Sequence, residues 1–532
     1  MTYFTNYLQK SFLSFLFCSL FIFKLESQQV TIAQSDLIDK PQHSQLSNII
    51  VSDEDGFFLE HDIYNGNKIN GRLEKHDYSF NILKEQEFAY ELDGKSLKYA
   101  SSFYFQNKLF TVCTLYDNKE KENRYYLIET DLSTLKPIGI PIEYNSLFKN
   151  LNESYKPHSY KLSENGQMIA FIGKPGYIIK SGGLNEIPKP METSNGASKG
   201  SVVVLDQMME KKWELNYSFP NNGESYKFES VNLDDLGNFY VLGILYDKGA
   251  KNSGGKNGSN YHYVITAITD NGKTSKEYHI SLGEKFITSC AITLTSEGQV
   301  KCMGFYSYKK DNLIKGTFLI TIDPKTQLIV TNYNGDLPAK FLKLFMSENK
   351  LESGAELADY TLKDIIKREN DEVTLILEKS FENSSIVKNP TTGATSEQTI
   401  YHRDEIVLIT LSGDNSVLWY VVIPKKQASS EYRYLSYGLH INGEMIYLIY
   451  NDNEKNQNED NVEKLNTYIG KNAVTTLITI NGNGDLVKTT LFTEDEKQVA
   501  FIPIFFKQIS STESLIYSEN DEQYRIGRLV FN

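Results

Sequence analysis

The chain reads as all-β, a β-propeller of four-stranded blades, and three observations lead there. A turn pattern recurs along most of its length, the segments between turns are rich in Tyr, Phe, Ile and Val, and the last repeat is one strand short. In each unit an apolar strand ends in a tight Gly or Asn turn and a second apolar strand follows. A variable loop comes next, and then a third strand closes on an Asp-type turn into a fourth. The first turn is read at Asp53-Glu54-Asp55-Gly56, Ser163-Glu164-Asn165-Gly166, Asp235-Leu236-Gly237-Asn238, Ser296-Glu297-Gly298 and Asn442-Gly443. The second is read near Asp77, Asp131, Asp206, Asp270, Asp323, Gly413 and Gly482. A four-strand unit returning roughly every 50–75 residues is the mark of a propeller.

Alternation and β-branched content divide the chain into about eight units. The first runs over Leu46–Phe88, with strands at Phe57–Ile63, Ile69–His76 and Phe80–Phe88. The second covers Leu97–Tyr144, the third Ser159–Phe219, the fourth Phe228–Leu282 and the fifth Phe286–Tyr333. A sixth uses Tyr360–Arg368, Val373–Lys379, Glu405–Leu411 and Val417–Ile423. A seventh uses Tyr434–His440, Met445–Tyr450, Val474–Ile480 and Leu486–Phe492. Seven blades is the alternative count, because Ile69–His76 is polar for a strand. The eighth unit, Val499–Asn532, has room for three strands, so the segment just after an N-terminal signal and before Leu46 is expected to supply the fourth and remove an open sheet edge.

The repeat also resembles a family pattern. Leu408–Ile423 (LITLSGDNSVLWYVVI), Leu319–Val330 (LITIDPKTQLIV) and Val202–Leu215 (VVVLDQMMEKKWEL) are similar to the strand–turn–strand repeat of secreted bacterial propellers of the quinoprotein-like kind. There a strand ends in an Asp or Asn-Gly turn and an aromatic follows. The chain's two Trp, Trp213 and Trp419, fall at the same place in the unit, which assigns them to packing. The resemblance implies a fold and leaves function open.

Composition narrows the setting. A formal charge of −13 with a pI near 5.3 argues against nucleic acid, whose affinity rests on cations that neutralise phosphates. Lys10 precedes an apolar run from Ser11 to Phe23, too short to span a bilayer comfortably and suited to a signal-peptide core. Residues 1–33 are therefore read as a signal peptide, cut after Ala33, and residues 34–532 as one propeller domain. Phe15-Leu16-Phe17 before Cys18 is too bulky for a lipobox, and no later run reaches membrane length. The protein is thus expected to be secreted, periplasmic or in the cell envelope. Cys113, Cys290 and Cys302 remain, an odd number that argues against a disulfide framework. Cys290 and Cys302 fall on neighbouring strands of one hairpin, slightly out of register, and are read as buried thiols.

Catalytic motifs are sparse. Gly196-Ala197-Ser198-Lys199-Gly200 matches G-x-S-x-G, but a strand follows where a nucleophile elbow needs a helix. Ser52–Gly56 approaches the Asp box and a calcium loop without completing either, and reads as a turn. A quinone cofactor would need a vicinal Cys pair, and zinc a paired His spacing. Neither is present, so no cofactor and no metal are expected.

Two connections of each blade, between strands two and three and from strand four onward, share one face. Here they are the long ones: Lys174–Lys199, Asp247–Asn260, Glu382–His402 and Asn451–Lys471 within units, Asn334–Asp359 and Pro424–Arg433 between them. A short amphipathic helix is expected around Phe341–Phe345. Long loops on one side of a rigid scaffold form the default binding surface. The richest is Pro424–Tyr434, whose Lys425, Lys426, Tyr432 and Arg433 mix basic and aromatic groups suited to an anionic, sugar-like or protein ligand. Together with Tyr177 they are the candidate binding residues, and no catalytic residue is named. The expected function is an exported bacterial binding or scaffold protein with a protein or glycan partner. The alternative is a carbohydrate-active enzyme with its carboxylates in a central opening.

Overall fold

The computed structural model describes residues 30–51, 56–66, 68–119, 122–148, 158–173, 177–178, 189–190, 198–219, 226–247, 254–255, 258–388, 395–470, 473–493 and 499–531. Nearly all regular structure in them is antiparallel β. Eight sheets of four or more strands follow one another along the chain, and in the first seven the strands lie side by side in chain order. They span 44–87, 98–148, 158–219, 226–280, 286–336, 360–423 and 438–493, numbered here as sheets 1 to 7. Sheet 8 joins Ala500–Phe501, Glu513–Glu519 and Gln523–Phe531 to the N-terminal strand Val30–Gln34. The polar segment Lys68–His76 is a full strand, paired over nine residues with Phe57–Asn65.

The turn grammar is realised where it was read. Gly166, Gly237, Gly298 and Gly443 lie in first turns at positive φ, which side chains resist. Asp77, Asp131, Asp206 and Asp323 open third-to-fourth-strand turns, and each accepts backbone N–H bonds at Oδ1. Such Asx turns fold the corner locally. The hydroxyls and amides of Ser133 and Thr134 hold the Asp131 carboxyl down to about 2.

Each sheet is covered on both faces. In the second strand of sheet 4, Phe239–Tyr246, all eight residues are buried. Phe239, Val241 and Leu245 pack toward sheet 3, while Tyr240, Leu242, Ile244 and Tyr246 pack toward sheet 5. The same alternation repeats in sheet 7, with Ile446, Leu448 and Tyr450 on sheet 6 and Tyr447 and Ile449 on sheet 8. Sheet 8 packs in turn on sheet 1, where Leu515, Tyr517, Tyr524 and Ile526 meet Leu46, Ile49, Phe57 and Leu59. Glu74 is buried at that junction. It accepts a hydrogen bond from Tyr524 (2.9 Å) and lies 3.5 Å from Nε2 of both His61 and His76.

The two tryptophans occupy matching places. Each lies on the fourth strand of its sheet beside a one-residue bulge, Trp213 opposite Val204 and Trp419 opposite Thr410. Each covers a positive-φ glycine in the next sheet's third-to-fourth-strand turn, Gly272 and Gly484 respectively, where a Cβ would stand 2.9 and 2.8 Å from the ring. Trp213 also donates Nε1–H to the Gly237 carbonyl at 3.0 Å.

Three expectations need correction. Glu382–His402 is no loop: Val373–Lys388 and Thr395–Leu411 pair on through Lys388 and Thr395, with Phe381 stacked on His402 and the Ser384 and Thr399 hydroxyls bonded across the ladder. The strand expected at Tyr434–His440 begins at Gly438, after a 3-10 turn at Tyr432–Tyr434. Helix between sheets 5 and 6 is in two short pieces, Ala339–Leu342 and Glu348–Glu352, the first burying Phe341 and Leu342. The Ser52–Asp55 part of the first turn lies outside the described residues.

The N-terminal strand sets a boundary of its own. Val30–Gln34 pairs residue for residue with Phe531–Gly527, so a cut after Ala33 removes four of its five residues. A chain starting at Gln34 should unfold at a lower temperature than one starting at Val30, at on the order of 0.5–1.5 kcal/mol for each ladder hydrogen bond lost. Equal midpoints in a thermal melt would contradict this pairing. Gly484→Ala should likewise cost about 1–3 kcal/mol, from backbone strain and displacement of Trp419, as read by denaturant midpoint.

Candidate functional site

The Pro424–Tyr434 connection borders a cleft of about 770 Å³. Tyr432 and Arg433 form one side. Lys40 and His43 from the N-terminal segment, Tyr64 at the end of a sheet 1 strand, and Ile504 in sheet 8 supply the others. Tyr432 is 60% exposed, Ile504 49% and Tyr64 39%, and Tyr401 meets Tyr432 edge to face with centroids 6.0 Å apart. Large apolar faces are thus held open to water beside hydrogen-bonding groups, an arrangement suited to ligands with both kinds of surface.

A buried carboxylate organises the base of the cleft. Glu519 is almost fully buried, accepts from Tyr517 at 3.1 Å, and pairs with Lys40 at 2.7 Å and with Arg433. Arg433 also reaches Glu431 (3.1 Å) and the Tyr434 hydroxyl (3.0 Å), and its guanidinium lies 4.8 Å over the Tyr434 ring. Burial raises the Tyr434 phenol to about 12, so it stays protonated. Arg433 therefore shapes the cleft while its charge is largely compensated.

The other candidates fall elsewhere. Lys425, expected among the binding residues of this connection, is 0% exposed and turned into the interior. Its ammonium lies 3.0 Å from Glu378 and donates to the Arg403 carbonyl (2.6 Å) and to Gln427 Oε1 (2.9 Å). The reason is that Gln427–Ser429 pairs with Tyr401–Arg403 as an added strand, turning the preceding side chain inward. Burial lowers the Lys425 pKa, with Glu378 opposing. Lys426 is half-buried, and its carbonyl accepts from Tyr468 N–H. Tyr177 opens the two-residue strand Tyr177–Ile178, paired with Lys189–Pro190, and its side chain lies outside the described ones. Ser198 of the G-x-S-x-G match begins the strand Ser198–Asp206, so the helix an elbow needs is replaced by a ladder.

Sequence reading missed Lys40, His43, Tyr64, Tyr401 and Ile504. Tyr64 precedes Asn65-Gly66 at a strand end, a signal for a turn on the long-loop side, but nothing in the sequence brings it to Tyr432. A second concavity, about 560 Å³, lies between the first strands of sheets 3 to 6. In five sheets the first strand carries one extra residue, Ser47, Ala100, Glu229, Thr288 or Lys363. Bulges re-aim side chains, and Glu229, Thr288 and Lys363 line this cavity with Lys161 and Asp364. Burial, with the charge of Lys367, lowers the Lys161 pKa. Among the described residues, no group of three or more His, Cys, Asp or Glu is placed to hold a metal ion, and no helix is long and apolar enough to cross a membrane.

No family model and no curated protein matches the sequence. Solved structures similar to it include prolyl oligopeptidase B from Galerina marginata, at 8% identity over 90% of this chain and 55% of that one, TM-score 0.38. A PL25 ulvan lyase is similar at 12% identity over 80% of this chain and 90% of that one, TM-score 0.35. Pyrococcus horikoshii acylaminoacyl peptidase is similar at 11% identity over 90% and 58%, TM-score 0.33. The chain spans little more than half the length of the two peptidases. Likeness at this level carries no argument about chemistry here.

Lys425→Ala should destabilise the fold by about 3 kcal/mol, since it takes the nearest cation from the buried Glu378 carboxylate and leaves it the Ser436 hydroxyl and the more distant Lys363 and Arg403. The double variant Lys425→Ala/Glu378→Gln should recover part of that loss in urea unfolding. A single variant as stable as the parent would show that the pair carries no weight.

Proposed function

We propose that this is an exported bacterial binding or scaffold protein whose eight sheets are the blades of a closed β-propeller and whose ligand sits in the Tyr64–Tyr432 cleft. Eight successive inter-sheet cores, with the last sheet packed on the first, support the closed reading. The apolar run Ser11–Phe23 supports export. The observation that carries the binding reading is the set of exposed tyrosines over a rigid, ion-paired floor. Tyrosine gives large contact area with little side-chain entropy to lose, which suits a sugar ring or a protein hot spot.

A second reading is favoured by the central cavity. Lys161, its charged form disfavoured by burial, shares that space with Glu229 and Asp364, so acid–base chemistry on a polysaccharide is the alternative function. Polysaccharide turnover by the purified chain that is lost in Lys161→Ala would favour it over the first.

For the cleft, Tyr432→Ala and Tyr64→Ala should each weaken capture of envelope glycans or proteins about tenfold or more, the scale of a 1.4 kcal/mol contact. Folding should be unaffected, because both rings are solvent-facing. Retention from envelope extracts on immobilised parent and variants provides the measurement. Unchanged retention by the double variant would remove the cleft from consideration.

A further inference from the structure

Cys290 and Cys302 belong to the first and second strands of sheet 5, and in register each is two residues off the other, on the same face. Cys290 stands opposite Gly304, and Cys302 opposite Ile292. Diagonal neighbours in an antiparallel pair ordinarily have Cα atoms about 7–8 Å apart, at the limit a disulfide tolerates. Here the two sulfurs are 3.1 Å apart, closer than non-bonded sulfur atoms rest in contact. Two local features bring them together. The bulge at Thr288, two residues before Cys290, increases the local twist and draws one diagonal inward. Gly304 opposite Cys290 leaves no side chain in the way, and a Cβ there would strike the Ser289 carbonyl at 2.0 Å.

Access is one-sided. Cys290 lines the central cavity and is half-buried, whereas Cys302 has no exposure and sits in the core between sheets 4 and 5. Cys113, the third described cysteine, is buried in sheet 2 with its Sγ 3.7 Å from the Tyr126 carbonyl.

We infer that Cys290 and Cys302 are a dithiol modification site that closes to a disulfide when a small disulfide oxidant enters the central cavity. The Cys290 sulfur attacks one sulfur of the oxidant RSSR, breaking its S–S bond and expelling RS⁻, which takes up the proton Cys290 has lost. Cys302 then attacks the Cys290 sulfur of the mixed disulfide, forming Cys290–Cys302 and releasing the second RSH. Two thiols are oxidised and one external disulfide is reduced to two thiols. Burial raises the Cys290 pKa, so the first step should quicken as pH rises.

The test uses the full chain and 2-hydroxyethyl disulfide, with alkylation in denaturant and tryptic mass mapping. Cleavage after Lys285, Lys301 and Lys309 puts the two cysteines on separate peptides, Phe286–Lys301 and Cys302–Lys309. Oxidised protein should yield these two as one disulfide-linked species, lighter by two hydrogens than their reduced sum, while Cys113 stays alkylatable. In Cys302→Ser the link should vanish and Cys290 should keep the mercaptoethanol adduct. Recovery of both wild-type peptides separately, alkylated or carrying adducts, after prolonged oxidation at alkaline pH would overturn the inference, whether or not the variant folds.

Discussion

Every sheet in this chain has two apolar faces, and each face needs a partner. A four-stranded sheet cannot cover itself, and middle strands such as Phe239–Tyr246 turn apolar side chains to both faces. In Phe239–Tyr246 odd and even positions feed two different cores. That constraint propagates along the chain, since each sheet exposes a fresh apolar face unless another follows. It ends when the face of sheet 8 meets that of sheet 1. Burial at about 25 cal/mol per Å² makes each junction worth far more than the turns that join the strands. The same demand makes second strands such as Met168–Gly173 and Phe239–Tyr246 predominantly apolar, the pattern of strands buried on both sides.

The last junction carries a buried charge. Glu74 is buried between two imidazoles and the Tyr524 hydroxyl. Burial works against its ionisation, yet the two imidazoles beside it and the hydrogen bond from Tyr524 outweigh burial and hold the carboxyl well below its usual range. A carboxyl depressed in the folded state adds stability at pH values above its unfolded pKa, and the gain is lost as pH falls through the folded value. Replacing such a group by a neutral one leaves donors unsatisfied, so the first and last sheets are matched to one another rather than interchangeable with other pairs.

Much of this was legible because the information is local. A Gly with positive φ or an Asp that folds its own corner announces a turn within four residues, and Gly166, Gly298, Asp131 and Asp323 were each read correctly on that basis. The equivalence of Trp213 and Trp419 was legible for the same reason, though the glycines they cover, Gly272 and Gly484, were not. Where the reading failed, a tertiary partner had overridden a local signal. Pro424-Lys425-Lys426 looks like a solvated basic link, but an added strand at Gln427–Ser429 turns Lys425 onto Glu378. Glu382–His402 looks polar enough for a loop, yet cross-strand pairs such as Phe381–His402 and Ser384–Thr399 carry the hairpin ladder onward.

The cleft was half legible because it forms where parts distant in sequence meet, beside the packing of the last sheet on the first. Tyr432 and Arg433 come from one connection and could be singled out together. Lys40, Tyr64, Tyr401 and Ile504 come from the N-terminal segment, sheet 1, sheet 6 and sheet 8, and share nothing in sequence. Glu519 joins these parts, holding Lys40 and Arg433 at once from a buried position in the last sheet. The charges that fix the cleft therefore depend on sheet 8 standing next to sheet 1, and that depends on the apolar faces behind them. A ligand resting on Tyr64 and Tyr432 would bridge sheet 1 and the connection after sheet 6, adding its own contact beside the junction of sheets 8 and 1.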